Sequence, residues 1–197
     1  AGISGLDIEK RNALERILYL SNLHKVTDNL TLEYGLRYNN FSQLGPGTIQ
    51  TFGPEGEVTA TEEYGDFEPV VSYNGLAPRF TGTYVFNERK SIKGGYARTY
   101  QFLHLLSNST GGTPIDIWLP SSNNIAPQIA DQVSIGYFQN FADNMYEFSV
   151  EAYYKDLQNV IDYKPGATIT LNPEIDGELL FVDGLAYGVE CYLKKNT

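Results

Sequence analysis

The stretch Leu30–Phe41, LTLEYGLRYNNF, decides the fold because its side chains alternate between apolar and polar. The apolar set is Leu30, Leu32, Tyr34, Leu36 and Tyr38, and the set between them is Thr31, Glu33, Gly35, Arg37 and Asn39. Successive side chains on a β-strand point to opposite faces. The stretch therefore predicts a strand with one apolar face and one polar face.

The same alternation recurs elsewhere along the chain. It is clear in Tyr146–Lys155 and Leu185–Lys194. Weaker versions occur at Ala13–Leu23, Ala77–Phe86, Ser91–Phe102 and Gln132–Phe141. We therefore expect seven strands, most of them close to the length of about 9–11 residues that crosses a bilayer when the strand is tilted.

The predicted connections alternate between short and long. Short polar turns lie at His24–Asn29, Asn87–Lys90 and Ala142–Met145, and long segments lie at Ser42–Asn74, Leu103–Asp131 and Pro165–Gly184. Short periplasmic turns and long extracellular loops are typical of up-and-down transmembrane β-barrels. A soluble β-sandwich shows the same alternation, since one face of each strand packs a core. Strand length, loop asymmetry and the charges on one face favour the membrane barrel.

The composition argues against several classes of protein. With 14 basic and 24 acidic residues the net charge is −10, which does not suit a nucleic-acid partner. One cysteine and two distant histidines provide no disulfide framework and no metal-ligand spacing, so no metal or cofactor is expected. The chain contains no GxSxG, HExxH, P-loop or CxxC motif, and we do not expect an enzyme. No apolar run approaches the roughly 18 residues of a membrane helix.

The charges of the alternating strands lie on the polar side of each pattern. In a barrel this side faces the interior. The residues expected to face the lumen are Glu33, Arg37, Lys93, Glu151 and Glu190.

The second long segment contains the single tryptophan of the sequence, Trp118. It lies between Asp116 and Pro120, and Asn123 follows shortly after. A tryptophan face beside a carboxylate and an amide is suited to stacking a sugar or another ligand. We therefore expect Asp116, Trp118 and Asn123 to bind substrate in an extracellular vestibule. The alternative is a tryptophan that packs the loop onto the barrel wall or lies in the interfacial belt.

The first long segment is acidic, with six carboxylates in residues 55–68. Clustered carboxylates can hold Ca²⁺, which takes six to eight oxygen ligands. The segment lacks a regular DxDxDG spacing, and runs of charge are usually solvated surface. The sequence leaves these alternatives open.

Several motifs resemble a known family when they are taken in order. They are GLRY at Gly35–Tyr38, PIDIWLPS at Pro114–Ser121 and EAYYK at Glu151–Lys155, within surroundings such as APRFTGTYVFNERKSIKGGYARTYQ. Together they are similar to the C-terminal β-barrel of TonB-dependent outer-membrane receptors of Bacteroidota type. The resemblance begins near Leu14 and covers nearly the whole chain.

The resemblance implies a plugged barrel of about 22 strands in the cell outer membrane. Such a receptor is energised by the TonB complex through its plug region and imports a scarce or bulky nutrient. The surroundings of the wall would be lipid and lipopolysaccharide. The cargo would be a small molecule, a glycan or a peptide, and a surface lipoprotein is a possible partner.

The sequence as given lacks the plug, the TonB-contacting segment and most strands of such a receptor. Seven strands alone leave two open edges, and unpaired backbone groups are costly in lipid. We therefore expect residues 1–197 to be part of a larger barrel. Two alternatives remain: a non-transporting outer-membrane scaffold that partners a surface lipoprotein or secretion machinery, and a soluble β-sandwich adhesin.

Overall fold

The computed structural model describes residues 11–107, 116–167, 172 and 174–196. The strands are β1 (Asn12–Lys25), β2 (Leu30–Leu44), β3 (Gly47–Phe52), β4 (Val58–Tyr64), β5 (Pro69–Asn87), β6 (Lys90–Gln101), β7 (Leu103–Ser107), β8 (Asp116–Pro120), β9 (Gln128–Phe141), β10 (Tyr146–Tyr163) and β11 (Leu179–Lys195). A short 3₁₀ helix covers Ile175–Glu178. No helix in these described ranges is long and apolar enough to cross a membrane.

Seven long strands form one antiparallel sheet in the order β1-β2-β5-β6-β9-β10-β11. Each strand pairs with the next long strand along the chain, so the sheet is an up-and-down meander. All seven predicted strands and the all-β antiparallel fold class are confirmed. Among the described strands, β1 pairs only with β2, and β11 pairs only with β10.

Several strands extend beyond the predicted bounds at the end where the long connections lie. β5 begins at Pro69, eight residues before the predicted start at Ala77, and β10 continues to Tyr163. Pro78, which the sequence places at a strand start, lies inside β5. The β5–β6 ladder ends at Arg79 and Ala97, so Pro78 lies just beyond it. Proline cannot donate a ladder hydrogen bond, and this position requires none toward β6.

Two of the long connections contain hairpins of their own, which the sequence analysis treats as loops. β3 pairs with β4 from Gly47↔Tyr64 to Phe52↔Val58, and β7 pairs with β8 from Leu103↔Pro120 to Ser107↔Asp116. Pairing within each connection satisfies backbone groups that a long irregular loop would leave to water.

The long connections pack together around a small hydrophobic cluster. This cluster, which we call the loop core, consists of Leu106, Leu119, Ile125, Ile175 and Leu179. It joins the β6–β9 connection to the β10–β11 connection. At the opposite end of the sheet the short turns contact each other, because Arg89 forms an ion pair with Asp143 at 2.7 Å.

The strand register separates two faces of the sheet. One row runs across six strands through Thr31, Thr83, Lys93, Gly136, Glu151 and Glu190. The adjacent row runs through Leu32, Gly82, Gly94, Ile135, Ala152 and Val189. Paired residues in an antiparallel sheet share a face. We call the first the polar face and the second the apolar face.

Candidate functional site

The five residues predicted to face a lumen all lie on the polar face. Lys93, Glu151 and Glu190 lie in one row. Glu33 and Arg37 lie further along β2, toward the end of the sheet that carries the long connections, which we call the loop end. No ion pair joins any two of them within the described chain. Arg37 instead donates to Asn39 Oδ1 at 2.7 Å and lies 3.6 Å from the Glu15 carboxylate.

A groove of about 470 Å³ lies on the polar face beside Arg37. Its walls include Tyr19, Arg79 and Tyr100. Gly35 is paired with Arg79, and Ala77 is paired with Arg37. Arg37 and Arg79 are therefore diagonal neighbours across the β2–β5 pair, each opposite a small residue.

Arg79 is a site residue that the sequence analysis missed, although its signal was present. The alternation from Ala77 to Phe86 places Arg79 on the same side as Thr81 and Thr83. The register confirms this placement, because Arg79 is paired with Gly35 and Thr81 with Glu33.

The side chain of Tyr100 occupies the fork where β5 and β6 separate. A Cβ atom at Gly75 would lie 2.4 Å from Tyr100 Cζ, so the tyrosine ring rests directly on this glycine. The Tyr100 hydroxyl donates to the carbonyl of Leu76 at 3.4 Å. Periodicity along β6 alone could not show this position, because it depends on the end of the β5–β6 ladder.

Tyr100 also begins a stack of aromatic rings. Its ring is stacked on Phe102 with centroids 6.2 Å apart, and Phe102 is stacked on Phe41 at 4.9 Å with an interplanar angle of 2°. A second cavity of about 730 Å³ adjoins this stack and is also lined by Trp118. Trp118 is 57% exposed. The stack therefore supports one wall of an open aromatic cavity.

The structure does not bring together the three residues predicted to bind substrate. Trp118 lines the aromatic cavity, whereas Asn123 lines two other cavities. Asp116 is opposite Ser107 at the end of the β7–β8 ladder, and its side chain lies outside the described part of the chain.

The side-chain amide of Asn123 forms hydrogen bonds that join two of the long connections. Its Nδ2 donates to Thr51 Oγ1 at 2.9 Å and to the carbonyl of Gln50 at 3.1 Å. Its Oδ1 is buried and has no hydrogen-bond partner among the described residues. Trp118 is therefore the better placed of the two for contact with a ligand.

Two carboxylates of the acidic segment, residues 55–68, accept hydrogen bonds from groups close to them in the sequence. Glu62 accepts from the Tyr64 hydroxyl at 2.6 Å, and Glu68 accepts from the backbone N–H of Gly65 at 2.8 Å. Within the described ranges, no group of three or more His, Cys, Asp or Glu side chains is arranged to hold a metal ion.

His104 belongs to the interior of the connections. It is 3% exposed, and its Nε2 shares a hydrogen bond of 3.0 Å with Ser121 Oγ. Burial lowers the pKa of His104 from its ordinary value, because the charged imidazolium loses solvation. Burial therefore favours the neutral form of the imidazole over the charged form in the folded protein.

Comparison with known proteins gives two findings. A family model described as "TonB dependent receptor-like, beta-barrel" matches residues 5–187. Among solved structures, the chain is similar to the ferric-catecholate import receptor Fiu from E. coli K12, in its closed form, with a TM-score of 0.54 and 16% sequence identity. The alignment covers 94% of this chain and 26% of that one, so the chain spans about a quarter of the receptor's length. No curated protein sequence matches.

Proposed function

Because this chain belongs to the TonB-dependent receptor-like β-barrel family, we propose that it forms part of the wall of an outer-membrane importer. The family is one of receptors rather than enzymes. The importer takes up a scarce or bulky nutrient, and the TonB complex energises it through a plug region of the whole receptor. The cargo is a small molecule, a glycan or a peptide.

The observation that carries this proposal is the contrast between two adjacent rows of the sheet, with Lys93, Glu151 and Glu190 in one and Ile135, Ala152 and Val189 in the other. The polar face holds Glu33, Arg37, Lys93, Glu151 and Glu190, and these residues face the lumen. The apolar face includes Ile135 and Val189, which are 55% and 69% exposed. Exposed apolar side chains of this kind are favourable where they contact lipid, and the outer surface of a membrane barrel contacts lipid. In this arrangement the loop end is extracellular and the turn end periplasmic.

Adjacent residues of β11 provide a direct test of the two faces. In the full-length receptor in lipid vesicles, with Cys191 replaced by alanine, spin labels are attached to Val189→Cys and, separately, to Glu190→Cys. We expect collisions with apolar oxygen to dominate at position 189 and collisions with a water-soluble nickel chelate to dominate at position 190. The reverse pattern would exchange the faces. Equal access to both reagents at both positions would contradict a lipid-facing wall.

Nutrient depletion separates an importer from a scaffold. Spent medium is compared by mass spectrometry for wild-type cells, cells without the receptor gene and cells without TonB. An importer predicts a compound that wild-type cells remove and that both deletion strains leave behind. If both deletion strains deplete the medium as wild type does while the receptor deletion loses a surface lipoprotein or a secreted protein, the chain is part of a non-transporting scaffold.

A further inference from the structure

We propose that the groove at Arg79 and the cavity at Trp118 form one binding subsite for an aromatic acid. The acid group of the ligand lies against Arg37 and Arg79, and its ring lies against Tyr100 and Trp118. This inference rests on the proposed function, since it requires the polar face to line the passage through which cargo enters.

The two cavities share a wall. Tyr100 lines both the groove of about 470 Å³ and the aromatic cavity of about 730 Å³. Its ring end lies against Gly75, and the ring is also stacked on Phe102, which is stacked on Phe41. A ligand can therefore extend from the arginines to the tryptophan past a side chain that is already held in place.

The groove supplies positive charge that the described chain leaves available. Arg98, which also lines the groove, is satisfied by two hydrogen bonds to Asp131 at 2.7 and 2.8 Å. Arg79 has no hydrogen bond and no ion pair with any described residue, so it carries the available charge of the groove. Arg37 donates to Asn39 Oδ1 at 2.7 Å and forms an ion pair with the half-exposed Glu15 at 3.6 Å. Guanidinium groups bind carboxylate and sulfonate oxygens through paired hydrogen bonds. Glu33 lies next to the two arginines, on the side toward the short turns. It is paired with Thr81, which is two residues along β5 from Arg79.

The aromatic cavity favours an aromatic ring over a sugar. Its lining includes Leu103 and Leu119 as well as the aromatic rings, and its polar side chains are those of Arg11, Glu15 and Gln101. Arg11 is bound to Asp176, and Gln101 Nε2 donates to the carbonyl of Leu103, so two of these three are already in use. Trp118 is 57% exposed and forms no ring contact with the aromatic side chains of the described chain. An aromatic ligand would cover this indole face, which gains from stacking and from removal of apolar surface from water.

The test uses 5-sulfosalicylate, which joins two acid groups to one aromatic ring, and full-length receptor in detergent. Isothermal titration calorimetry gives the dissociation constant. We expect Arg79→Gln and Trp118→Leu each to weaken binding by about tenfold. Phenol and inorganic sulfate, which carry the ring and the charge separately, should each bind at least about tenfold more weakly than 5-sulfosalicylate.

The matched control is Arg16→Gln. Arg16 is also exposed, but it is paired with Asn40 and therefore lies on the apolar face. Its removal should leave the dissociation constant unchanged. Folding of each variant is checked by its heat-dependent mobility in gel electrophoresis, and Arg37→Gln replaces Arg79→Gln if the latter does not fold.

Absence of binding to the wild-type receptor would overturn the subsite, as would equal losses from Arg16→Gln and Arg79→Gln. Binding that survives both Arg79→Gln and Trp118→Leu would also overturn it. None of these results affects the spin-label pattern at positions 189 and 190. A wrong subsite is therefore distinguishable from a wrong assignment of the faces.

Discussion

Arg11 and Asp176 are 165 positions apart in the sequence and form an ion pair with two hydrogen bonds of 3.0 and 2.9 Å. Asp176 is buried, and it also accepts from Ser122 Oγ at 3.5 Å. The pair therefore joins the residue before β1 to the β10–β11 connection and, through Ser122, to the β8–β9 connection. A bidentate contact of this kind fixes orientation as well as distance.

Replacing Arg11 by glutamine should loosen the β10–β11 connection. The change leaves a buried carboxylate without its cation, at a cost of about 1–3 kcal/mol in local stability. Hydrogen exchange measured by mass spectrometry on the full-length receptor should rise in residues 174–179. Lys25→Gln is the control, because the Lys25–Asp28 pair is exposed and contributes less than about 1 kcal/mol. Unchanged exchange after Arg11→Gln would show that the pair does not hold this connection.

Acidification should loosen the interior of the connections through His104. Burial holds the pKa of His104 in the folded protein below its ordinary value of 6.5. The unfolded state then binds the proton more readily, so stability is lost as pH falls through about 6.5 toward the lower folded pKa. Hydrogen exchange of residues 121–125 should be faster at pH 5.5 than at pH 7.5, after correction for the intrinsic rates. In His104→Gln this difference should shrink; a difference of the same size would assign the effect to another group.

Arginine substitutions at two neighbouring positions of β11 should have unequal costs. Val189→Arg places a charge on the face proposed to contact lipid and should destabilise the protein by about 2–4 kcal/mol near the middle of the membrane. Glu190→Arg, on the polar face, should cost much less. Thermal unfolding followed by electrophoretic mobility gives the comparison. Equal losses would contradict the assignment of the two faces.

Short peptide tags should distinguish the two ends of the sheet on intact cells. Phe67 lies between β4 and β5 and is 80% exposed, so a tag inserted after it should bind antibody. A tag inserted after Glu88, in the turn between β5 and β6, should bind only after the outer membrane is permeabilised. Antibody binding to the Glu88 tag alone on intact cells would invert the topology.

The sequence predicts the strands where a repeating environment acts on them. Along Leu30–Tyr38 each side chain meets either the apolar or the polar surroundings, so the alternation is regular and the strand is evident. The first part of β5, residues 69–76, is different. It lies outside the part of the sheet where one face is apolar and the other polar, and pairing with β2 keeps it extended. Pairing between distant segments leaves no period in the sequence, and the predicted start at Ala77 was therefore too late.

In the candidate site, too, some features follow from alternation and others depend on contacts between distant segments. Alternation was sufficient to place Glu33, Arg37 and Glu151 on one face. It could not place Tyr100, whose ring reaches Gly75 only because the β5–β6 ladder ends below it. Nor could it show that Asn123 holds the β3 backbone while Trp118 lines a separate cavity.

The contacts among the long connections limit how these connections can be exchanged between related proteins. Asn124 accepts from the backbone N–H of Phe52 at 3.1 Å, and Lys164 Nζ donates to the carbonyls of Pro54 and Gly177 at 3.0 and 2.9 Å. Each connection thus completes the hydrogen bonding of another. A single connection transferred from a related protein would lack its own hydrogen-bond partners in the new surroundings. It would also leave the hydrogen-bonding groups of the neighbouring connections without partners. Recombination, in evolution or in engineering, should therefore succeed when all three connections are inherited as one block.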